Sequence, residues 1–283
     1  MLFGVVLNPS EVTRFFSSFT QSAYRGIMEI VYTTVVGSQM HGLTTPDSDR
    51  DVRYITKASL REVISPFVDV SVKVNRGGTE DVESWELRHF TKQLSSGNPT
   101  CYEVIKSPLY DKSKYADQIR GIMKHCFDGK RILDAHIGYA NSQIERYLKP
   151  LDKSFREACF SEELAWYHDH NAKEVWEENK IRRIPKCIVA AYRVIAQATQ
   201  LLTTGDFQPV VKNYSVELHN KLMRVKTMNP NDITWKFSLN HQAEIESEIK
   251  ELKALFESLP DSVKFSECDV PAIEDVLMEI YSD

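Results

Sequence analysis

The pattern of apolar residues changes near residue 110, and this change limits the possible folds more than any other feature of the sequence. Before it, short runs rich in β-branched residues occupy residues 30–38, 51–56 and 68–74, with one short helical stretch, "SLREVIS", between the last two. After it, apolar residues recur at helical spacing over residues 115–126, 132–148, 162–178, 185–203, 215–226 and 241–259. We therefore expect an α+β protein with an N-terminal mixed β-sheet domain over residues 1–110 and an all-helical domain over residues 111–283.

Composition and charge favour a soluble, cytoplasmic protein that does not span a membrane. The chain has 283 residues, 42% of them hydrophobic, and its formal net charge of −5 disfavours coating of nucleic acid through bulk positive charge. No window approaches about 18 consecutive apolar residues, and the N-terminal segment lacks the basic region of an export signal. The cysteines form no Cys-x-x-Cys pair, so neither a disulfide framework nor a zinc site is indicated; they are Cys101, Cys126, Cys159, Cys187 and Cys268.

Two aspartates one residue apart, Asp49 and Asp51, stand at the start of the predicted strand 51–56. Alternate strand residues project to the same face, so both carboxylates would point to one place and repel each other unless a cation lies between them. Carboxylate oxygens favour Mg²⁺ or Mn²⁺, which commonly bind substrate phosphates at the same time. Upstream, Gly37 allows close backbone approach, and Ser38 can begin a helix whose N–H groups attract anions. The pattern therefore indicates phosphate chemistry, although "PDSDRD" is also an ordinary solvated loop sequence.

A longer stretch around these residues resembles a known family fingerprint. The segment "GSQMHGLTTPDSDRDVR" is similar to that of the DNA polymerase β-type nucleotidyltransferase superfamily, and most to the predicted nucleotidyltransferases of bacteria and their phages. The similarity continues into "DVESWELRHFTKQLSSGNPTCYEVI", and it is weaker in "GYANSQ" and "KCIVAAYRVIAQATQLLTTG". The resemblance thus covers roughly the whole chain, and its more specific motifs lie in the first 105 residues.

The resemblance implies a role for each matched position. Gly37 and Ser38 would bind the triphosphate of a nucleotide, while Asp49 and Asp51 would hold two divalent ions. Those ions would stabilise the attacking and leaving oxygens of an in-line displacement at the α-phosphorus. Asp81 matches the family position of the third carboxylate, which binds the metal that activates the acceptor hydroxyl.

The third carboxylate has two alternatives in the sequence. Glu83 lies two residues after Asp81, on the same face if this segment is a strand, and Asp69 lies on the polar face of "VDVSVKV". We rank Asp81 first, then Glu83, then Asp69. Arg53 follows Asp51 by two residues, so it would either reach the same cleft and bind nucleotide or neutralise the neighbouring acids.

Three other residues of these motifs have ordinary structural explanations. His41 occupies a position where the family has tyrosine or histidine, and a packed or turn-capping ring is the favoured interpretation. In "SSGNPTCYEVI", Asn98 is predicted to cap a helix that begins at Pro99. Glu103 would then lie in the first turns, where the helix dipole favours an acid.

A basic pair on the predicted helix 185–203 is a candidate nucleotide contact. Ile188, Tyr192, Ile195, Thr199 and Leu202 form an apolar stripe, which predicts the buried face. Lys186 and Arg193 lie on the opposite side together with Gln197. Such a pair is typical of a solvated face. The family, however, tends to have lysine and arginine seven residues apart that face the cleft, with a histidine between them where this chain has Ala190.

These observations predict a metal-dependent nucleotidyltransferase with Mg²⁺ or Mn²⁺ as cofactor. It would move a nucleoside monophosphate from ATP or another NTP to a hydroxyl and release pyrophosphate. The acceptor is open among an RNA or tRNA end, a protein side chain and a small molecule, and the oligomeric state is open as well. The alternatives are a catalytically inactive nucleotide-binding regulatory protein that retains the fold and a metal-binding scaffold without nucleotide.

Overall fold

A computed structural model describes residues 28–65, 73–76, 80–145, 170–229, 232–233 and 235–283. Within these ranges four strands form one sheet: β1 (Glu29–Val36), β2 (Arg50–Lys57), β3 (Lys73–Arg76) and β4 (Glu80–Glu86). Their spatial order is β1-β2-β4-β3. Since β2 is antiparallel to β1 but parallel to β4, and β3 is antiparallel to β4, the predicted mixed sheet is confirmed.

Short helices connect and follow the strands. Helix α1 (Gly37–His41) begins directly after β1, and α2 (Leu60–Ile64) starts with a capping box between Ser59 and Glu62. Helix α3 (Leu87–Ser95) follows directly after β4. In α4 (Pro99–Lys106) the Asn98 side chain accepts a hydrogen bond from the Thr100 N–H at 3.0 Å, which confirms the predicted cap.

The remainder of the described chain is helical, as predicted, with different boundaries. It comprises α5 (Ala116–Gly121), a 3₁₀ turn (Ile122–His125), α6 (Gly129–Gln143), α7 (His170–Thr204), α8 (Val211–Tyr214), α9 (Val216–Lys226), α10 (Trp235–Ser258), α11 (Asp261–Lys264) and α12 (Val270–Ser282). The prediction of a helix beginning at residue 185 was wrong, because α7 runs through Pro185 without a break in its helical assignment. Proline removes one backbone hydrogen bond, and the buried contacts around it offset that cost. Residues 162–169 lie outside the described part of the chain.

The chain divides into two compact units. The first extends to Asp128 and includes Glu267–Asp283, and the second comprises Gly129–Ser266. The division thus follows Asp128, whereas the sequence placed the domain boundary after residue 110. The C-terminal helix α12, which was not predicted, belongs to the unit that contains the sheet.

Helix α12 and the residues around it are bound to the sheet unit at several points. The Tyr281 hydroxyl donates a short hydrogen bond to the Glu86 carboxylate, and Lys57 Nζ donates to the Ile280 carbonyl oxygen at 3.2 Å. Before the helix, the Asp269 N–H donates to the His125 carbonyl oxygen at 2.8 Å. The last residues of the chain therefore complete the first unit rather than extend the second.

Each unit has its own apolar core. In the first, fully buried side chains come from the sheet and from α3 and α4, among them Tyr32, Ile55, Phe90, Leu94 and Tyr102. In the second, the predicted stripe of α7 is buried at Ile188, Tyr192, Ile195 and Leu202, while Thr199 is half-buried. No described helix is long and apolar enough to cross a bilayer. The four cysteines in the described ranges form no disulfide.

Candidate active site

Two of the predicted catalytic aspartates lie on neighbouring strands. Asp51 of β2 is in register with Asp81 of β4, and the two strands are parallel. Residues in register on adjacent strands project to the same face, so the two carboxylates lie on one side of the sheet. Asp51 is also in register with Val36, the last residue of β1. The sheet therefore brings the end of β1 and the starts of β2 and β4 to one place.

Gly37 lies against the Asp51 carboxylate. A Cβ atom built on Gly37 would overlap with Asp51 Oδ2 and would lie 3.0 Å from Asp51 Cγ. The φ angle of Gly37 is +67°, a conformation that residues with a side chain rarely adopt. Glycine was expected here to let backbone approach a ligand, and in the structure its absent side chain also makes room for an aspartate. Ser38, half-buried, follows it in the first turn of α1.

The carboxylate of Glu83 is engaged by two donors of the sheet. Arg53 Nε lies 3.1 Å from Glu83 Oε2, and the Trp85 indole N–H donates to Glu83 Oε1 at 2.8 Å. Arg53 Nη1 also donates to the carbonyl oxygens of Val52 at 3.1 Å and Asp81 at 3.4 Å. Arg53 thus neutralises a neighbouring acid, one of its two predicted roles. Glu83, one candidate for the third carboxylate, is therefore held in an ion pair of the sheet.

The three predicted metal-binding aspartates, Asp49, Asp51 and Asp81, lie at one end of the sheet. Asp49 is exposed and precedes β2 by one residue, so the predicted strand alternation between Asp49 and Asp51 does not extend to it. Within the described ranges, no group of three or more His, Cys, Asp or Glu side chains is arranged to hold a metal ion. In chemistry, the carboxylate oxygens of Asp51 and Asp81 on one face of the sheet are the kind of ligand that a hard divalent cation prefers.

A buried contact between an imidazole and a carboxylate joins the two sequence segments that most resemble the family fingerprint. His41 Nε2, at the end of α1, lies 3.3 Å from Glu103 Oε1 in α4. Their side chains are only 3% and 9% exposed. The sequence interpretation had treated His41 as a packed ring and Glu103 as a helix-dipole acid, and it did not predict their contact. Both residues lie in segments that resemble the family fingerprint, and this was the only sequence feature that related them.

The strand that leads into α1 is anchored by the segment after α4. The Ser107 hydroxyl donates to the Val35 carbonyl oxygen at 2.6 Å, and the Val35 N–H donates to the Leu109 carbonyl oxygen at 2.8 Å. Arg120 Nη1 donates to the Tyr32 hydroxyl at 3.1 Å and to the Ser107 carbonyl oxygen at 3.0 Å. These bonds pair the outer edge of β1 and hold the end of the strand, from which Gly37 follows.

The remaining predicted site residues are placed elsewhere. Lys186 and Arg193 lie on α7 in the second unit, where Lys186 is exposed and Arg193 is half-buried. Gln197, expected on the same solvated face, is only 3% exposed, so this side of α7 is partly packed. Asp69 lies outside the described residues. The roles of Lys186, Arg193 and Asp69 stay predictions.

Comparisons with known proteins place the chain in a family. It is 28% identical over 126 residues to the uncharacterized protein YcgL of Bacillus subtilis (strain 168), a match that covers 43% of this chain and 48% of that protein. It is 24% identical over 135 residues to an uncharacterized 38.9 kDa protein of the nrdC-mobD intergenic region of Enterobacteria phage T4, which covers 42% and 39%. The chain thus spans less than half the length of either relative.

A solved structure and a family model complete the comparison. The structure of a nucleotidyltransferase-like protein from Exiguobacterium sibiricum 255-15 aligns with 97% of this chain and 87% of that one, at 12% identity and a TM-score of 0.33. The model of the RNA repair pathway DNA polymerase beta family matches residues 13–279. Because that match extends over most of the chain, the protein belongs to the RNA repair pathway DNA polymerase beta family, RlaP.

Proposed function

We propose that the protein is a nucleotidyltransferase that transfers a nucleoside monophosphate from an NTP to the hydroxyl of an RNA end and releases pyrophosphate. The observation that carries this proposal is the pairing of Asp51 with Asp81 across β2 and β4, with Gly37 against the Asp51 carboxylate. Membership of the family supports nucleotidyl transfer in general. The family description, which names RNA repair, favours an RNA end over the protein and small-molecule acceptors.

The carboxylates at this end of the sheet would hold the metal ions. Asp49 and Asp51 would bind Mg²⁺ or Mn²⁺ together with the nucleotide, and Asp81 would complete the position next to the acceptor hydroxyl. When bound, the ions supply charge neutralisation at the triphosphate and lower the pKa of the attacking hydroxyl. No protein nucleophile is needed, so we propose that the nucleotide is transferred without a covalent bond to the protein.

The surrounding residues would orient these groups. Gly37 keeps the start of α1 close to Asp51, and Ser38 would offer its backbone and hydroxyl to the triphosphate. Arg53 holds Glu83 beside Trp85, which keeps a second acid of β4 out of the metal position. Lys186 and Arg193 stay predicted phosphate contacts of this reaction.

A transfer assay tests the proposal directly. The purified chain is incubated with each α-labelled NTP, Mg²⁺ or Mn²⁺, and a short RNA or total tRNA, and the RNA is resolved at single-nucleotide resolution. We expect the RNA to gain labelled nucleotide with equimolar pyrophosphate. An otherwise identical RNA that ends in a 3′-deoxynucleotide and the Asp51→Asn variant are the controls.

The assay also separates the alternatives. Labelling of the blocked RNA would show that the acceptor is a group other than the 3′ hydroxyl. Labelling of the protein itself would indicate a protein acceptor. Metal-dependent NTP binding without transfer to any acceptor would favour the inactive regulatory protein. Metal binding without nucleotide binding would favour the scaffold.

A further inference from the structure

The helical unit contains a pocket that has no place in the proposed reaction. Its volume is about 520 Å³, within the range of roughly 300–1,000 Å³ common for small-molecule sites. Helices α7 and α10 form two of its walls, and residues Tyr214 and Leu218 close a third side. We call it the helical-unit pocket, and its lining is Tyr192, Ile195, Ala196, Thr199, Gln200, Tyr214, Leu218, Glu248, Glu251, Leu252 and Leu255.

A hydrogen-bonded polar cluster lies at Tyr192, one of the lining residues. The Tyr192 hydroxyl donates to Glu244 Oε2 at 2.6 Å and lies 3.1 Å from His241 Nδ1. Lys221 Nζ lies 3.1 Å from Glu244 Oε2, 3.7 Å from Glu248 Oε1 and 3.7 Å from the centroid of the Tyr192 ring. The ammonium of Lys221 is thus closer to the Glu244 carboxylate than to the Glu248 carboxylate.

The charges at this end of the pocket do not balance. The acids are Glu244, Glu248 and Glu251. Among the described side chains, Lys221 is the cation within ion-pair distance of Glu248, and Arg193 acts electrostatically on Tyr214, so acids outnumber these cations. Burial lowers the pKa of His241, which keeps the imidazole neutral at pH 7. Burial also raises the pKa of Glu248, since its half-buried carboxylate has lost solvation that Lys221 only partly replaces. A second cation would therefore stabilise the pocket.

We propose that the helical-unit pocket binds an organic ammonium ion with an apolar body. The ammonium would pair with Glu248 and Glu251, and the body would lie against Ile195, Leu252 and the ring of Tyr214. An anion such as a nucleotide phosphate is disfavoured, because the uncompensated charge of the pocket is negative. A bare metal ion is disfavoured too, because the apolar walls contribute nothing to its binding. The inference is independent of the nucleotidyl transfer proposed above.

Isothermal titration of the full chain with n-hexylammonium chloride at pH 7 tests this inference. We expect saturable binding of one ion per chain. The uncharged analogue 1-hexanol and the short cation methylammonium should each bind at least about tenfold more weakly, since each lacks one half of the interaction. Equal binding of hexanol, or no saturable binding of hexylammonium, would overturn the proposal.

Matched substitutions on α10 locate the binding site. Glu248→Gln should weaken hexylammonium binding at least about tenfold, which corresponds to about 1.4 kcal/mol. Glu251→Gln, at an exposed position, gives a second test if the first variant does not fold. The control is Glu246→Gln on the same helix, whose carboxylate accepts from the Gln242 amide at 2.9 Å and does not line the pocket. Wild-type affinity in both pocket variants would refute the site, and so would an equal loss in the control.

Discussion

Asp51 of β2 lies in register with Asp81 of the parallel strand β4, so the two carboxylates share a face of the sheet at one end. Two residues further along the same strands, Arg53 is paired with Glu83 at 3.1 Å. The first pair consists of like charges and the second of opposite charges. The first would therefore be stabilised by a bound cation, while the second is already neutralised.

The first prediction compares the acids of these two pairs. We expect Asp51→Asn and Asp81→Asn each to reduce nucleotide transfer by at least about a hundredfold, because each removes a metal ligand. Folding should persist, since removal of one of two repelling charges does not destabilise the sheet. Asp81→Asn should retain metal-dependent NTP binding. Transfer rates, nucleotide titrations and thermal unfolding measure the three outcomes.

Glu83→Gln is the matched control for that comparison. It removes a carboxylate charge from the same strand but from the neutralised pair, so transfer should persist within a few fold. If Glu83→Gln abolished transfer while Asp81→Asn remained active, Glu83 would be the third carboxylate. Activity in both variants would direct the search to Asp69.

The second prediction concerns Gly37. Gly37→Ala should destabilise the protein by more than the roughly 1–2 kcal/mol cost of positive φ, because the new Cβ overlaps with the Asp51 carboxylate. It should also displace Asp51 and strongly reduce transfer. Gly205 has a φ of +73° and nothing within 4 Å of its Cβ position, so Gly205→Ala isolates the cost of backbone conformation. Equal activity of the two variants would contradict a role for the Gly37 contact.

The third prediction addresses the buried pair of His41 and Glu103. Removal of either partner leaves a buried polar group, so Glu103→Gln and His41→Gln should each lower the free energy of unfolding by about 1–3 kcal/mol. The double variant should lose less than the sum, because the second change removes the group that the first left behind. Chemical denaturation of the four proteins gives the coupling energy. Additive losses would mean that the two side chains do not interact.

The fourth prediction is a pH dependence of stability that arises from His136. The Nδ1–H group of this fully buried residue of α6 donates to the Ile132 carbonyl oxygen at 2.7 Å, and burial lowers the pKa of His136 to about 4. Between pH 6.5 and about 4 the unfolded chain therefore binds the proton that the folded chain rejects. The free energy of unfolding should fall by on the order of 3 kcal/mol as pH decreases through this window.

Substitution of this histidine should flatten the pH profile. In His136→Gln the loss of stability between pH 6.5 and 4 should be smaller than in the wild type, whatever the absolute stability. His219→Gln, at a half-buried site on α9, is the control substitution for the general effect of replacing a histidine. Denaturant titrations across the pH range provide the measurement, and parallel profiles for the wild type and His136→Gln would refute the assignment.

The parts of the fold that follow from local pattern were predictable from the sequence. The cap at Asn98 and the buried stripe of α7 depend on neighbouring residues in the chain, and each was found. The register of Asp51 with Asp81 across β2 and β4 was not predictable, because it depends on packing across the sheet rather than on either strand alone.

Features that depend on distant residues were missed. Pro185 marks a helix start in local terms, yet α7 continues through it because tertiary contacts outweigh one lost hydrogen bond. The contact of His41 with Glu103 joins residues from separate elements, and no periodicity relates them. Helix α12 was overlooked, and with it the return of the chain to the sheet unit.

The return of α12 has a consequence for the order in which the protein is made. The contacts of Tyr281 with Glu86 and of Ile280 with Lys57 join residues that the ribosome produces at widely separated times. Elements of the helical unit follow one another closely in sequence, so that unit can fold while translation is still in progress. The sheet that carries Asp51 and Asp81 completes its packing only after Ile280 and Tyr281 emerge. The residues around these two aspartates are therefore synthesised before the helical unit but complete their packing after it.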